Sequence, residues 1–187
     1  MSAVRCLHHV EMVVRNAGKR LDFLKSKFGF ELNAVSGDGL KRVASSGDAV
    51  FVVSETDDVK KPESVTNAAF VCKNVEAVVE KISKRSGNVI LAEPKVEEDE
   101  YGSVVVARVK SVVGDVEHTL VDPSNYRGPF LPTFSGEPKR NENGFQIVNG
   151  VDHVTLVCEA GQGAHVANWY EENFGMQRLV SNRYFWG

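Results

Sequence analysis

The residues of this chain best suited to chemistry are its five histidines, His8, His9, His118, His153 and His165. A neutral imidazole is a common metal ligand, and the ring titrates near neutral pH. His153 stands inside the apolar run 151–158; if that run is a strand, Val151, Thr155 and Val157 share its face. An imidazole on such a face binds a metal when the face lines a cavity. His9 stands the same way in the run 7–14, with His8 next to it on the opposite face. His118 falls in a later run, where it offers a second imidazole for a His9–His118 metal pair. His165 opens a predicted helix and is expected to face solvent. A single histidine on a strand is more often a hydrogen-bonded core or surface residue than a ligand, and no HExxH spacing accompanies any of the five. The chain has no Gly-rich phosphate loop, no GxSxG elbow and no CxxC pair. A Cys158 nucleophile would need activation by a neighbouring group.

The elements that must position these residues follow from periodicity. Residues 7–14 alternate as a strand. Asn16-Ala17-Gly18 can cap a helix over about 19–27, with Leu21, Leu24 and Phe28 on one face and Gly29 ending it. Strand-like pieces follow at 30–35, 40–44 and 49–54. The same order then recurs: a strand at 68–72, a helix at 75–85 with Val75, Val78, Val79 and Ile82 at helical spacing, and strands at 89–92, 103–110 and 116–121. The acidic run 97–100 between two of these strands reads as a solvated loop. Two βαβββ units each leave an open edge and face, and pairing them buries both.

Four of the six prolines (Pro123, Pro129, Pro132 and Pro138) then fall close together, punctuated by glycines. This predicts a linker over 123–149 with little room for ladder hydrogen bonds. After it, the opening of the chain returns. Leu7-His8-His9-Val10-Glu11-Met12-Val13 recurs as Val151-Asp152-His153-Val154-Thr155-Leu156-Val157, and Phe28-Gly29-Phe30 as Phe174-Gly175-Met176. The expected organisation is therefore a complete domain over 1–122, the linker over 123–149, and the start of a second, similar domain over 150–187. On its own that last piece would lack sheet partners for 151–158 and core for Trp169, Tyr170, Phe174 and Met176. The chain accordingly reads as a portion of a longer protein.

Composition narrows the class. Apolar residues make up 42% of the 187, charged residues 25%, and the formal net charge is −3. These values suit a globular protein and give no electrostatic reason to expect nucleic acid. No apolar run is long enough for a membrane helix. Cys6, Cys72 and Cys158, odd in number and widely spaced, do not make a disulfide framework and point to a reducing compartment.

Three stretches resemble the 4-hydroxyphenylpyruvate dioxygenase family. Tyr126-Arg127-Gly128-Pro129-Phe130-Leu131-Pro132-Thr133-Phe134, preceded by His118-Thr119-Leu120-Val121-Asp122, is similar to its linker signature. Val151-Asp152-His153-Val154, followed by Trp169-Tyr170, is similar to its Asp-His motif. Ser46-Gly47-Asp48-Ala49-Val50-Phe51-Val52-Val53 leans toward the dioxygenase-like branch. The resemblance covers essentially the whole chain and the family's N-terminal half. It implies an α+β, vicinal-oxygen-chelate (glyoxalase/dioxygenase-like) fold of paired βαβββ modules with a truncated second domain. It further implies Fe(II) held by two histidines and a glutamate, acting on an aromatic 2-oxo acid and O2 to give homogentisate or 4-hydroxymandelate in tyrosine metabolism. His153 matches the first iron ligand. The other two would lie past residue 187, so the chain alone is expected to be inactive, without tight iron. Through the repeat, the same three positions in the first domain map onto His9, Asn67 and Thr119, a set expected to hold no metal. Homodimerisation, and a cytoplasmic or mitochondrial location, stay open. Two other readings remain at this point: a metal-free binding or assembly module on the same fold, and a glyoxalase-type isomerase or resistance protein.

Overall fold

The computed structural model describes residues 4–60, 62–136 and 148–179. Nine strands form one mixed sheet in the order β6-β7-β8-β5-β1-β4-β3-β2-β9. The first βαβββ unit comprises β1 (Val4–Val14), α1 (Ala17–Phe28), β2 (Glu31–Ser36), β3 (Lys41–Ser46) and β4 (Ala49–Glu55). The second comprises β5 (Ser64–Cys72), α2 (Val75–Ser86), β6 (Ile90–Asp99), β7 (Gly102–Lys110) and β8 (Glu117–Tyr126). In each unit the first strand runs parallel to the last, β1 with β4 and β5 with β8. The units join where β1 and β5 pair antiparallel at the centre of the sheet. That seam removes the open edge each unit would otherwise carry.

Both helices start alike. Asn16 accepts from the Lys19 amide and Asn74 from the Ala77 amide, each at 2.8 Å, and each cap satisfies a helix N–H that has no intrahelical partner. Gly29 ends α1 in the left-handed region, at φ 68°. The spacing of Val75, Val78, Val79 and Ile82 has its purpose in burial, since all four are at most 4% exposed. Asn74→Ala should cost about 1 kcal/mol of unfolding free energy, read as a lower urea midpoint with an unchanged slope.

The two faces of the sheet have different covers. On one, α1 packs over Val14, Ala44, Ala49 and Val53, and α2 over Val4, Cys72, Val109 and Leu120. On the other, Ala34, Val43 and Val52 lie under Phe130 and Phe134 of the predicted linker.

The linker is less irregular than its prolines suggest. Strand β8 runs on through Pro123 to Tyr126, and Phe134–Gly136 adds β9 to the edge of β2. Pro123 is tolerated because it falls where the β7–β8 register shifts and beyond the last β5–β8 pair, so no ladder bond is asked of its nitrogen. The same holds for Pro94 in β6, which sits at a register shift in an edge strand. The acidic run departs from expectation too: Glu97, Glu98 and Asp99 lie in β6 rather than in a loop. As an edge strand, β6 keeps one side in water and can carry charge there.

The largest departure concerns residues 151–158. They form no strand, because no neighbouring strand lies beside them among the described residues. Nor do the aromatic residues after them lack a core. Helix α3 (Gly163–Phe174) lies against α2 and the second unit, with Trp169 8% and Phe174 0% exposed. The start of this segment is also anchored. Asp48 donates its amide to the Asn149 carbonyl at 2.6 Å, and the Ser46 hydroxyl donates to the Val148 carbonyl at 3.2 Å. Gly47, between them at φ 55°, would place a Cβ 2.5 Å from the Asn149 oxygen, so only glycine lets the chain pass this closely.

Candidate functional site

Two places gather the histidines. In the first domain, His9 of β1 is 2% exposed. Its Nε2–H donates to Glu11 Oε1 at 3.3 Å. The Asn67 amide nitrogen of β5 donates to the same oxygen at 3.3 Å and to Thr119 Oγ1 of β8 at 2.6 Å, while the Thr119 amide returns a bond to Asn67 Oδ1 at 3.1 Å. Lys41 Nζ of β3 donates to Glu11 Oε2 at 2.8 Å. The three positions mapped through the repeat, His9, Asn67 and Thr119, therefore do converge. They converge on Glu11, which the sequence reading left as one polar residue in a strand. Its spacing of two from His9, which puts both on one strand face, was the available signal.

Burial raises the pKa of the Glu11 carboxyl. The hydrogen bonds from His9 and Lys41, and the positive charge of the Lys41 ammonium, outweigh this and bring it down to about 2. The carboxylate is thus committed to protein donors. Asn67 and Thr119 satisfy one another, and an ammonium group stands where a cation would have to enter. This donor set does not fit Fe(II). Among the described residues no cluster of three or more His, Cys, Asp or Glu could hold a metal ion.

His8 is not on the opposite face from His9. The β1–β5 register shifts between Leu7 and His9, and this bulge turns His8 back, so that its Nδ1 lies 2.7 Å from His9 Nδ1. With the other His9 nitrogen donating to Glu11, His8 is the donor of this bond in the neutral pair. Both rings pack against Phe130, at 5.5 and 5.0 Å between centroids. The linker thereby closes the site.

The second place is a cavity of about 510 Å³ between the sheet and the chain after the linker. Its walls include Leu7, Phe70, His118, His153, Tyr170 and Met176. His118 lies on the helix-bearing side of β8, one residue out of phase with Thr119, so the His9–His118 pair does not form. His118 is 1% exposed. Its Nδ1–H donates to the Ala68 carbonyl at 2.9 Å, and its Nε2 accepts from the Tyr170 hydroxyl at 2.7 Å. Burial lowers its pKa to about 4, against the partly restoring bond to Ala68, so the ring is neutral at physiological pH. Tyr170, which the sequence reading gave as core and as part of the motif after His153, is the polar partner of His118 that reading missed here.

His153 lines the same cavity, but its side chain is 76% exposed and its Nδ1 pairs with Asp152 Oδ2 at 2.8 Å. His165 is exposed, as expected. Cys158 is partly buried, Cys72 buried and Cys6 exposed, all as free thiols. Burial pushes the Cys72 thiol up to about 12, so it is inert as a nucleophile. No described helix is long and apolar enough to cross a membrane.

No protein-family model matches the chain. A 4-hydroxyphenylpyruvate dioxygenase-like protein of Rattus norvegicus is 31% identical over 168 residues, covering 83% of this chain and 44% of that protein. The 4-hydroxyphenylpyruvate dioxygenase of Yarrowia lipolytica is 28% identical over 97% of this chain and 52% of its own length. Among solved structures, a mutant of 4-hydroxymandelate synthase from Streptomyces coelicolor superposes with a TM-score of 0.77 at 24% identity, covering 97% of this chain and 55% of that one. This last match speaks to fold alone. The chain spans about half the length of the curated relatives it matches. It is thus a sequence relative of the 4-hydroxyphenylpyruvate dioxygenases and dioxygenase-like proteins, built on the α+β, paired-βαβββ vicinal-oxygen-chelate fold that 4-hydroxymandelate synthase and glyoxalases share.

Proposed function

We propose that this sequence is a portion of an Fe(II) oxygenase of the 4-hydroxyphenylpyruvate dioxygenase type, taking an aromatic 2-oxo acid and O2 to homogentisate or 4-hydroxymandelate. The observation that carries the reading is the 31% identity to a dioxygenase-like protein across 83% of the chain. The return of the β1 pattern around His153 supports it. In this reading residues 1–122 form a scaffold domain, 123–149 a linker, and 150–187 the opening of the iron-binding domain. His153 is one iron ligand, and the other two come from outside the described residues. Bound iron would supply open positions for a 2-oxo acid and dioxygen. One exposed imidazole beside a carboxylate cannot by itself hold that metal or orient those ligands. The free thiols suit a reducing compartment, the cytoplasm or the mitochondrion.

The 187-residue chain, supplied with ferrous iron, ascorbate and 4-hydroxyphenylpyruvate, should therefore take up no oxygen above the enzyme-free blank. An iron titration should show no tight one-to-one complex. Turnover proportional to the aromatic acid, or tight stoichiometric iron, would overturn the division of labour. In a longer protein containing this sequence, His153→Ala should abolish both bound iron and turnover. Iron retained by that variant would remove His153 from the ligand set.

A further inference from the structure

Two stretches of the chain that lie far apart in sequence, 117–122 and 169–170, meet at one hydrogen-bonded chain. The Val113 amide donates to Ser111 Oγ at 3.2 Å. The Ser111 hydroxyl and the Tyr170 hydroxyl are 2.9 Å apart, and Tyr170 Oη lies 2.7 Å from His118 Nε2. His118 Nδ1–H donates to the Ala68 carbonyl. The directions are forced from the Ala68 end. The Ala68 carbonyl can only accept, so neutral His118 presents Nε2 as an acceptor. Tyr170 must then donate to it and receive from Ser111. Every member is satisfied, and the chain crosses from β5 and β8 to α3. Around it the His118 ring touches Phe70, Trp169, Tyr170 and Phe174, with centroids 5.3–6.3 Å apart.

We infer that Tyr170 is the joint that positions the His153 segment on the first domain, its hydroxyl pinning α3 to β8 through His118 and to the β7–β8 connection through Ser111. The apolar contacts of α3 set how strongly it adheres, but they are not directional. The hydroxyl chain is directional, and it allows one rotation and one height of the helix on the sheet. The residues N-terminal to α3 line the same cavity and follow that placement. What the placement serves rests on the proposed iron site; the joint itself does not.

The joint also needs a neutral imidazole. The cavity beside His118 is lined by Ala68 and Phe70 from β5, Tyr170 and Glu171 from α3, and Arg178 after it. Asp152 and His153 come from the 151–156 stretch. Glu171 is paired with Arg178, and Asp152 with His153. Among the described residues, neither carboxylate lining the cavity is therefore free to stabilise an imidazolium, and charging the ring favours lifting α3 to admit water.

Amide exchange on the 187-residue chain tests this without iron or substrate. Tyr170→Phe keeps the ring and removes the hydroxyl. Exchange of the α3 amides should accelerate on the order of tenfold, while β1 and β4 amides keep their wild-type rates. Unchanged α3 exchange, or equal acceleration throughout the sheet, would overturn the inference, the latter by showing a general loss of stability. A second readout is Trp169 emission in a Trp186→Phe background, since a protonated imidazole beside an indole quenches it. Acid quenching should have its midpoint well below that of a free imidazole, rise in pH in Tyr170→Phe, and vanish in His118→Gln. Quenching that survives His118→Gln would sink the inference. A dead oxygenase with an intact joint, or the converse, keeps the two proposals separable.

Discussion

Phe174→Ala should lower the unfolding free energy by about 3–5 kcal/mol, the range for truncating a fully buried phenylalanine. The ring is 0% exposed. It meets Phe70, His118, Trp169 and Tyr170 at centroid distances of 5.3–5.7 Å, mostly edge to face. It also belongs to the same cluster as Val75, Ile82, Val109 and Leu120. Removing it leaves a cavity between α2, α3 and the sheet that rigid strands on one side cannot collapse to fill. Chemical denaturation followed by far-UV circular dichroism measures the loss. The alternative is that α3 is a loosely held tail, in which case the variant would fall within about 0.5 kcal/mol of wild type, as surface changes do. The size of the effect therefore decides whether the chain after the linker is part of the first domain's folding unit.

That integration is where sequence and structure part. The local features were legible. Asn16, Gly29 and the Val75-Val78-Val79-Ile82 spacing each act within one helix, so short-range pattern suffices to find them. The repeat went further, since it brought His9, Asn67 and Thr119 together from three strands. The misses all depend on a neighbour that periodicity does not name. His8 changes face because β5 slips against β1. Pro94 and Pro123 sit in strands because register shifts excuse their nitrogens. Phe134–Gly136 is a strand because the edge of β2 is free to receive it. The 151–158 run shows the opposite error. Alternation gives strand potential, but a strand needs a ladder, and none is offered among the described residues. The roles of Glu11 and Tyr170 were missed in part for the same reason: Lys41 and His118, the partners that complete them, lie thirty or more residues away.

The two buried titratable centres also predict how the fold responds to acid, and in two separate windows. His118 titrates ordinarily at 6.5 and in the fold at about 4, because burial penalises its charged form. Between those values the unfolded chain binds a proton that the folded chain refuses. Stability is therefore full above pH 6.5 and is lost as pH falls toward 4. Glu11 titrates ordinarily at 4.5 and in the fold at about 2: burial raises it, but the bonds to His9 and Lys41 lower it further. Its contribution is full above pH 4.5 and is lost as pH falls through 2. Each shift corresponds to about 3 kcal/mol over its window. Asp38 and Glu80 are lowered by hydrogen bonds to Ser36 and Lys84, but both are open to solvent, which screens such pairs. Urea midpoints measured from pH 7.5 down to 3 should thus begin to fall below 6.5, well above the carboxylate range. His118→Gln should flatten the upper limb and leave the lower one, and Glu11→Gln should do the reverse. A wild-type midpoint that stays level from pH 6.5 to 4.5 would show that His118 is not held neutral, and would detach the upper window from the Tyr170 joint.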